Sequence, residues 1–327
     1  WLTLSCGKCK KGFYSKRDSI LCPQCQSPKE FLTLGRRNKT IDDRQLAAQV
    51  NSFFTSNKYQ TQNSFAMIPR EGNTLFTVAG VQILNPHIFN GTELNQPKGV
   101  ILQPSIRLQT MDKTSNYAGC STAFVNAVTV EAPSTIKDHI EHFDQWLNFF
   151  STIGLHVKDL RAKLRFQLQN WGLGNCLNYN IDLYYGGLSL FNASYFHEMP
   201  TQSEKTVTIS DMGITIERTL WMVNKTPSYF DNIGPSELAI RGKDDEADAI
   251  RTMVLMAGSS VTPTSKEGKD RMRSKKMRAF SKKLADLKDS MNIDSAVEYF
   301  YNFWSNYIDL PLNKADIKVL IQKEYQR

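Results

Sequence analysis

Apolar residues recur at helical spacing in two stretches of the chain. Leu46, Val50 and Phe53 follow Thr40, which with Asp43 reads as a capping pair, so a helix is expected from Thr40. Ile136, Ile140, Phe143, Leu147 and Phe150 predict a second helix over 134–153, with that set as its buried face. Between them, 65–130 reads as strand, with runs at 74–78 and 100–102 broken by Gly and Pro. Strand patterns return at 179–185, 194–196 and 206–210. From Glu237 the pattern is helical to the end, with breaks near 258–268 and 310–312. In the last part Val297, Phe300, Tyr301, Trp304 and Tyr307 form a stripe that reads as core. The expected order is a cysteine-rich front, a mixed α+β middle with antiparallel strands, and a helical end.

Composition narrows the class. The 327 residues are 41% hydrophobic, enough for a sizeable core and against wholesale disorder. No stretch approaches the roughly 20 apolar residues of a membrane helix, and the first residues do not read as a secretory signal. The net charge of +8 is compatible with nucleic-acid binding and does not establish it. The charge is concentrated: 266–288 holds ten basic and three acidic residues. The basic ones are Lys266, Lys269, Arg271, Arg273, Lys275, Lys276, Arg278, Lys282, Lys283 and Lys288, and such a helix suits an RNA backbone. A solvated helix is the plainer alternative.

Four of the six cysteines lie in the first 25 residues, as Cys6-Gly-Lys-Cys9, twelve residues, then Cys22-Pro-Gln-Cys25. Each C-x-x-C turn points two sulfurs at one place, and four thiolates close a tetrahedral zinc site with no open position for catalysis. So short a polar segment has almost no core without metal. Two disulfides are the alternative, but the clustering favours a structural Zn2+ in a reducing compartment, the cytoplasm or its equivalent. Cys120 and Cys176 lack a paired spacing and are not expected to contribute.

Three segments of the middle region carry candidate chemistry. Arg107 ends a strand, a loop 110–118 follows, and the chain returns through Gly119 to Asn126 with Phe124 on the arm. An arginine and an aromatic placed so can hold a phosphate and stack a base, although such a pair is more often ordinary structure. In Ser210–Val223 a strand is expected to reach a turn at Gly213 and then a helix opening with Glu217-Arg218. Arg218 can pair with a polyphosphate or simply with Glu217 or Asp211. Asn192 lies among apolar residues of a strand, where its amide needs partners, structural or ligand.

Together these segments resemble the catalytic domain of class II aminoacyl-tRNA synthetases, of the alanyl type, from about Asp42 to Lys225. The stretch from Ile68-Pro-Arg-Glu-Gly to Ile-Phe-Asn-Gly91 looks like that family's early signature. Asp211-Met-Gly-Ile-Thr-Ile-Glu-Arg218 looks like its Asp-Thr-Gly-Met-Gly-Leu-Glu-Arg motif. The resemblance implies an α+β fold, a class II synthetase-like antiparallel sheet flanked by helices; the cysteine spacing and the helical periodicity add an N-terminal zinc ribbon, which is not part of that family's usual architecture, and a C-terminal helical domain. The boundaries expected are 1–39 for the ribbon and linker, 40–232 for the catalytic domain and 233–327 for the helical domain. It implies that Arg107 binds the α-phosphate of ATP, Phe124 packs on adenine, and Arg218 grips the γ-phosphate. Asp211 would take the amino group of alanine, with Asn192 and Gly213 also at the amino acid, and Mg2+ is expected on the pyrophosphate. The acceptor implied is tRNA, reached through 266–288.

The chain also departs from the family. Arg107-Leu-Gln-Thr-Met-Asp-Lys replaces the usual Arg-Ala-Gly-Gly-Lys-His-Asn-Asp loop, and Thr215 replaces a glycine. The family's editing signature does not occur in these 327 residues. Two other readings therefore stay open: an adenylating enzyme that loads a carrier protein or small molecule, and a non-catalytic descendant that binds RNA or assists assembly.

Overall fold

A single sheet organises the first half of the fold. The strands are β1 (Leu2–Ser5), β2 (Gly12–Ser15), β3 (Gln60–Gln62), β4 (Lys98–Ile106), β5 (Ala123–Glu131), β6 (Leu160–Trp171), β7 (Gly174–Tyr185), β8 (Leu188–Pro200) and β9 (Thr206–Thr215). They join one nine-stranded sheet in the order β1-β2-β6-β7-β8-β9-β5-β4-β3. The β3–β4 pair is parallel, while β1–β2, β2–β6, β6–β7, β7–β8, β8–β9 and β5–β9 are antiparallel. The computed structural model describes residues 1–16, 19–35, 40–94, 98–111, 119–203, 205–233, 244–285 and 292–325. Two compact units result. The first comprises Trp1–Asn63, Gly80–Leu102 and Asn126–Lys225, and the second Ser64–Ala79, Gln103–Val125 and Thr226–Arg327.

In the first unit, the expected helices form with shifted details. α1 (Asp43–Ser56) is capped by Asp42, whose carboxylate accepts from the Gln45 amide while Gln45 answers the Asp42 amide, so Thr40 is not the cap. Its buried residues are Leu46, Ala47, Val50 and Phe54, with Phe53 half-buried. A short α2 (Asn85–Asn90) follows. α3 (Ile136–Thr152) is capped by Thr135 and Asp138, and it buries His139, His142, Trp146, Phe149 and Phe150. Ile136 and Ile140 are exposed at 59% and 56%, which corrects the expected face by about one residue of helix rotation. The reason is that polar anchors outcompete the isoleucines for the sheet. Trp146 Nε1 donates to Thr129 Oγ1 (2.7 Å), His139 Nδ1 meets Ser210 Oγ (2.7 Å), and His142 bridges Ser210 and Thr129. In the second unit the run 74–78 is not a strand, although Phe76 and Thr77 are buried.

The N-terminal module shares this sheet. β2 pairs with β6 at Tyr14–Ala162 and Ser15–Arg161. Within the 1–39 ribbon and linker, Glu30–Thr33 forms a 3-10 turn, with Phe31 fully buried against Trp221 at 4.9 Å between rings. The β7–β8 turn carries Gly186 and Gly187 at φ +50° and +82°. A Cβ on Gly186 would sit 2.3 Å from the Phe31 amide nitrogen, so a side chain is excluded there.

Among its described residues the second unit carries four α-helices: α5 (Asp244–Gly258), α6 (Gly268–Ala285), α7 (Ile293–Ser305) and α8 (Lys314–Tyr325). The breaks near 258–268 and 310–312 fall where expected. Val297, Phe300, Trp304 and Tyr307 are buried as core. Arg251, also fully buried, is held between aromatic rings at 4.2 Å (Phe303) and 4.4 Å (Trp304). Its carbonyl accepts from Trp304 Nε1 at 3.0 Å.

Candidate functional site

The four N-terminal cysteines converge. Their sulfurs all lie within 4.8 Å of one another, none forms a disulfide, and Cys9 and Cys22 sulfurs are 3.6 Å apart. A tetrahedral ion with metal–sulfur bonds of about 2.3 Å sets its sulfurs roughly 3.8 Å apart, so the donor set fits zinc in kind and spacing. Backbone N–H groups point at Cys6, among them that of Cys9 at 3.4 Å. Such contacts, first from Cys22 and then from Cys9, lower the Cys6 thiol to about 6. Cys25 is pushed up to about 12, first by burial and then by neighbouring sulfurs. Phe13 packs beneath, with Cys6 and Cys22, as a very small core. Cys120 and Cys176 lie outside the cluster.

On the sheet of the first unit, strand register decides which polar residues share a face. One row across β7, β8 and β9 is Asp182, Asn192 and Gly213; the next is Asn180, Ser194 and Asp211. Asn192 Nδ2 donates to Asp182 Oδ1 (2.8 Å) and reaches Asn180 Oδ1 (3.3 Å). Ser194 Oγ lies 2.7 Å from Asn180 Oδ1 and 2.8 Å from Asn192 Oδ1. Arg165 on β6 closes the cluster with Nε and Nη2 on the two oxygens of Asp182, at 2.5 and 2.9 Å. Asn180 is 5% exposed, and its Nδ2 has no hydrogen-bond partner among the described residues. A buried amide donor without an acceptor is costly and leaves a hydrogen bond to be made.

β9 runs unbroken through Gly213, so the expected turn there is not present. Glycine is required instead for close packing: a Cβ would come within 2.7 Å of the Ala127 carbonyl and of Val128 Cγ2. The helix predicted after it is α4 (Ile216–Asn224), and Glu217 is buried in its first turn. Arg218 follows, half-buried, with Nη1 3.4 Å from the Ser189 carbonyl at the start of β8. Tyr184, on the neighbouring strand, is raised chiefly by burial and then by the Asp182 charge, and Arg218 acts on it in the opposite sense.

In the second unit, Arg107 sits just beyond β4. Its Nε donates to the Val78 carbonyl (2.9 Å), and its guanidinium carbon lies 4.8 Å from the centre of the Phe124 ring. The expected arginine–aromatic pair thus exists within one body. The returning arm is pinned by residues that sequence reasoning missed. Asp248 on α5 takes the Thr122 amide and hydroxyl on its two oxygens, both at 2.6 Å. Arg251 Nε donates to the Ala123 carbonyl at 3.2 Å. Burial pushes Asp248 up to about 6 despite those bonds. A cue was present in Asp248 and Arg251 at helical spacing inside an apolar run. Residues 112–118, most of the intervening loop, lie outside the described residues.

The basic segment divides. Arg273 is buried, with Nε on the Leu75 carbonyl (2.7 Å) and Nη1 on Asp270 (2.5 Å). Lys269 Nζ reaches the Gly72 carbonyl (2.8 Å), Lys283 that of Met111, and Arg278 that of Pro263. These four secure the unit's own loops. Lys266, Arg271, Lys275 and Lys282 are exposed, Lys276 is half-buried, and Lys288 lies outside the described residues. Among the described residues no helix is long and apolar enough to cross a membrane.

Comparison with known proteins agrees with the motif reading. An alanine–tRNA ligase of Saccharolobus islandicus is 22% identical over 248 residues, covering 70% of this chain. A second strain's alanine–tRNA ligase matches at 22% over 251 residues. The chain is similar to the alanine–tRNA ligases. It spans only 26% of the length of these relatives. The solved structure of Desulfitobacterium hafniense PylSc, a pyrrolysyl tRNA synthetase, overlaps 57% of this chain and 68% of its own, with 12% identity and a TM-score of 0.40. No family model matches the chain.

Proposed function

We propose that the chain activates a small amino acid, alanine first, with ATP and passes it from the adenylate to tRNA. The observation that carries this reading is one polar face on three adjacent strands. It brings Asn192, Gly213 and Asp211 together with a buried, unsatisfied Asn180 amide. In the proposed chemistry a carboxylate oxygen of the amino acid attacks the α-phosphorus, and the bond to pyrophosphate breaks. A tRNA hydroxyl then attacks the carbonyl carbon, and AMP leaves. Neither step needs a strong acid or base, so positioning and charge stabilisation dominate. Asp211 holds the substrate ammonium, and Asn192 orients the amino acid. Arg107, already anchored to Val78 and lying beside Phe124, is preorganised to meet the α-phosphate while the ring meets adenine. Arg218 meets the γ-phosphate. Mg2+, when bound, neutralises charge on the departing pyrophosphate.

The remaining assignments rest on the cysteine spacing and on the charge of α6. The four cysteines hold one structural Zn2+, and the exposed cations of α6 meet the RNA backbone. The functional regions proposed are 1–39, 40–232 and 233–327, in a cytoplasmic protein. Amino-acid-dependent ATP–pyrophosphate exchange across all twenty amino acids tests the first step, and charging of tRNA tests the second. Exchange without charging transfers the reading to a carrier or small-molecule acceptor. Tight tRNA binding without exchange transfers it to a non-catalytic descendant.

A further inference from the structure

The second pair of cysteines is continuous with a buttress under Arg218. The Cys22 carbonyl accepts from the amides of Cys25 (3.0 Å) and Gln26 (3.2 Å). Gln26 is buried, and its Nε2 donates to Glu30 Oε1 at 2.7 Å. The Ser27 carbonyl takes the Glu30 amide at 3.1 Å, so 22–30 is a run of linked turns hung on the second C-x-x-C. That run reaches the rest of the first unit at two places. One is the β7–β8 turn, where the Phe31 amide donates to the Gly186 carbonyl at 3.0 Å. There the Ser27 carbonyl packs so closely on Gly187 that a Cβ would come within 2.2 Å of it. Just after that turn, the Ser189 carbonyl lies 3.4 Å from Nη1 of Arg218. The other place is α4, where the Phe31 ring meets Trp221 edge-on at 4.9 Å, about one helical turn after Arg218. At the end of that helix, Lys225 Nζ reaches the Leu34 carbonyl. The helix that carries Arg218 and the strand start it leans on are therefore both packed on 27–34.

We propose that the cysteine module is a positioning element for Arg218, transmitted by Phe31, so that zinc in the four-thiolate site sets the grip on the triphosphate of ATP. The proposal rests on the reading of Arg218 as the γ-phosphate ligand. The module can act this way only when its own fold is fixed. Its core is Cys6, Phe13 and Cys22, with Leu4 and Leu21 at the margin, too small to hold 22–34 in register without an ion. With the ion bound, the β7–β8 turn, Phe31 and α4 pack as one body around the arginine. A misplacement of about 1 Å at such a group costs on the order of 100-fold in rate. The amino-acid face is held differently: Asn180, Asp182, Asn192 and Ser194 bond to one another. Metal loss therefore acts on ATP and spares the amino acid.

The test compares the full chain carrying one zinc with the same chain stripped by phenanthroline, and with Cys22→Ser and Phe31→Ala. Deuterium exchange is read over 186–190 and 216–222, with 139–150 of α3 as internal reference. Metal loss is expected to speed exchange about tenfold or more in the first two stretches and to leave α3 unchanged. In ATP–pyrophosphate exchange it should raise the KM for ATP about tenfold or more and that for the amino acid less than about twofold. Phe31→Ala should reproduce both effects while keeping its zinc, and Phe31→Leu should restore most of the ATP affinity. A chain that binds no zinc, unchanged protection after metal loss, or a raised amino-acid KM beside an unchanged ATP KM would overturn the inference. A wild type without exchange toward any amino acid overturns the reading of Arg218 instead, and the deuterium measurement still decides the coupling.

Discussion

The two faces of the central sheet both carry polar residues, and they use them differently. On the α3 face, Thr129, Ser210, His139, His142 and Glu131 are fasteners. Each bonds to a neighbouring element, and the aromatic residues Trp146, Phe149 and Phe150 exclude water around them. Glu131 is held there by Lys98 at 3.2 Å and by the Tyr59 hydroxyl. On the opposite face, Asn180, Asp182, Asn192 and Ser194 bond chiefly to one another across adjacent strands, and one donor is left over. Fasteners stabilise the fold; under the proposed function the second cluster, with its spare donor, faces the amino acid. The comparison predicts that substitutions on the first face cost stability and substitutions on the second cost activity.

The largest expected effect is Trp146→Ala. It removes a fully buried indole and its bond to Thr129, so thermal or denaturant unfolding should show a loss of about 3–5 kcal/mol. Next comes Arg218→Ala, which should lower exchange on the order of 30- to 1000-fold, about 2–4 kcal/mol of transition-state stabilisation, with little change in melting temperature. A large loss of stability there would erase the distinction between the faces. Gly213→Ala should cost about 1–3 kcal/mol, because the Cβ meets the Ala127 carbonyl.

Acid gives a smaller and more selective test. Burial lowers His139 to about 4 and His142 well below its ordinary range, so both are neutral in the fold. The unfolded chain takes up protons from about pH 6.5 downward and the fold does not, so stability falls from there toward pH 4. Asp248 in the second unit works the other way. Its folded value near 6 lies above the unfolded carboxyl's value of about 4, so its burden appears as pH rises between them and vanishes in acid. Hydrogen exchange from pH 7 to pH 4 should therefore show α3 losing protection before the Thr122 region. Equal loss in both would contradict this assignment.

How much was legible in the sequence differs by feature. The cysteine cluster was fully visible, because C-x-x-C spacing is a local property of the chain. The extent of α3 was visible from its periodicity, but its face was not. Counting apolar residues favoured Ile136 and Ile140, whereas the sheet selected His139, His142 and Trp146 through long-range bonds to Thr129 and Ser210. Arg107, Phe124, Arg218, Asp211 and Asn192 were proposed through motif resemblance. Their neighbours Asp182, Asn180 and Ser194 were missed, because strand register brings them into place and spacing within one strand does not show it. Gly213 was read as a turn because a glycine commonly marks one. Its role is close approach to β5, which only the pairing with Val128 reveals.

Asp211 is proposed to hold the substrate's amino group, and the whole reading turns on that role. The measurement that tests it is ATP–pyrophosphate exchange against amino-acid concentration for the wild type and Asp211→Asn. Exchange by the wild type is predicted, with the substitution raising the KM for the amino acid at least tenfold, that for ATP much less, and leaving the melting temperature unchanged. No exchange with any amino acid, or an unchanged amino-acid KM in the variant, would contradict it.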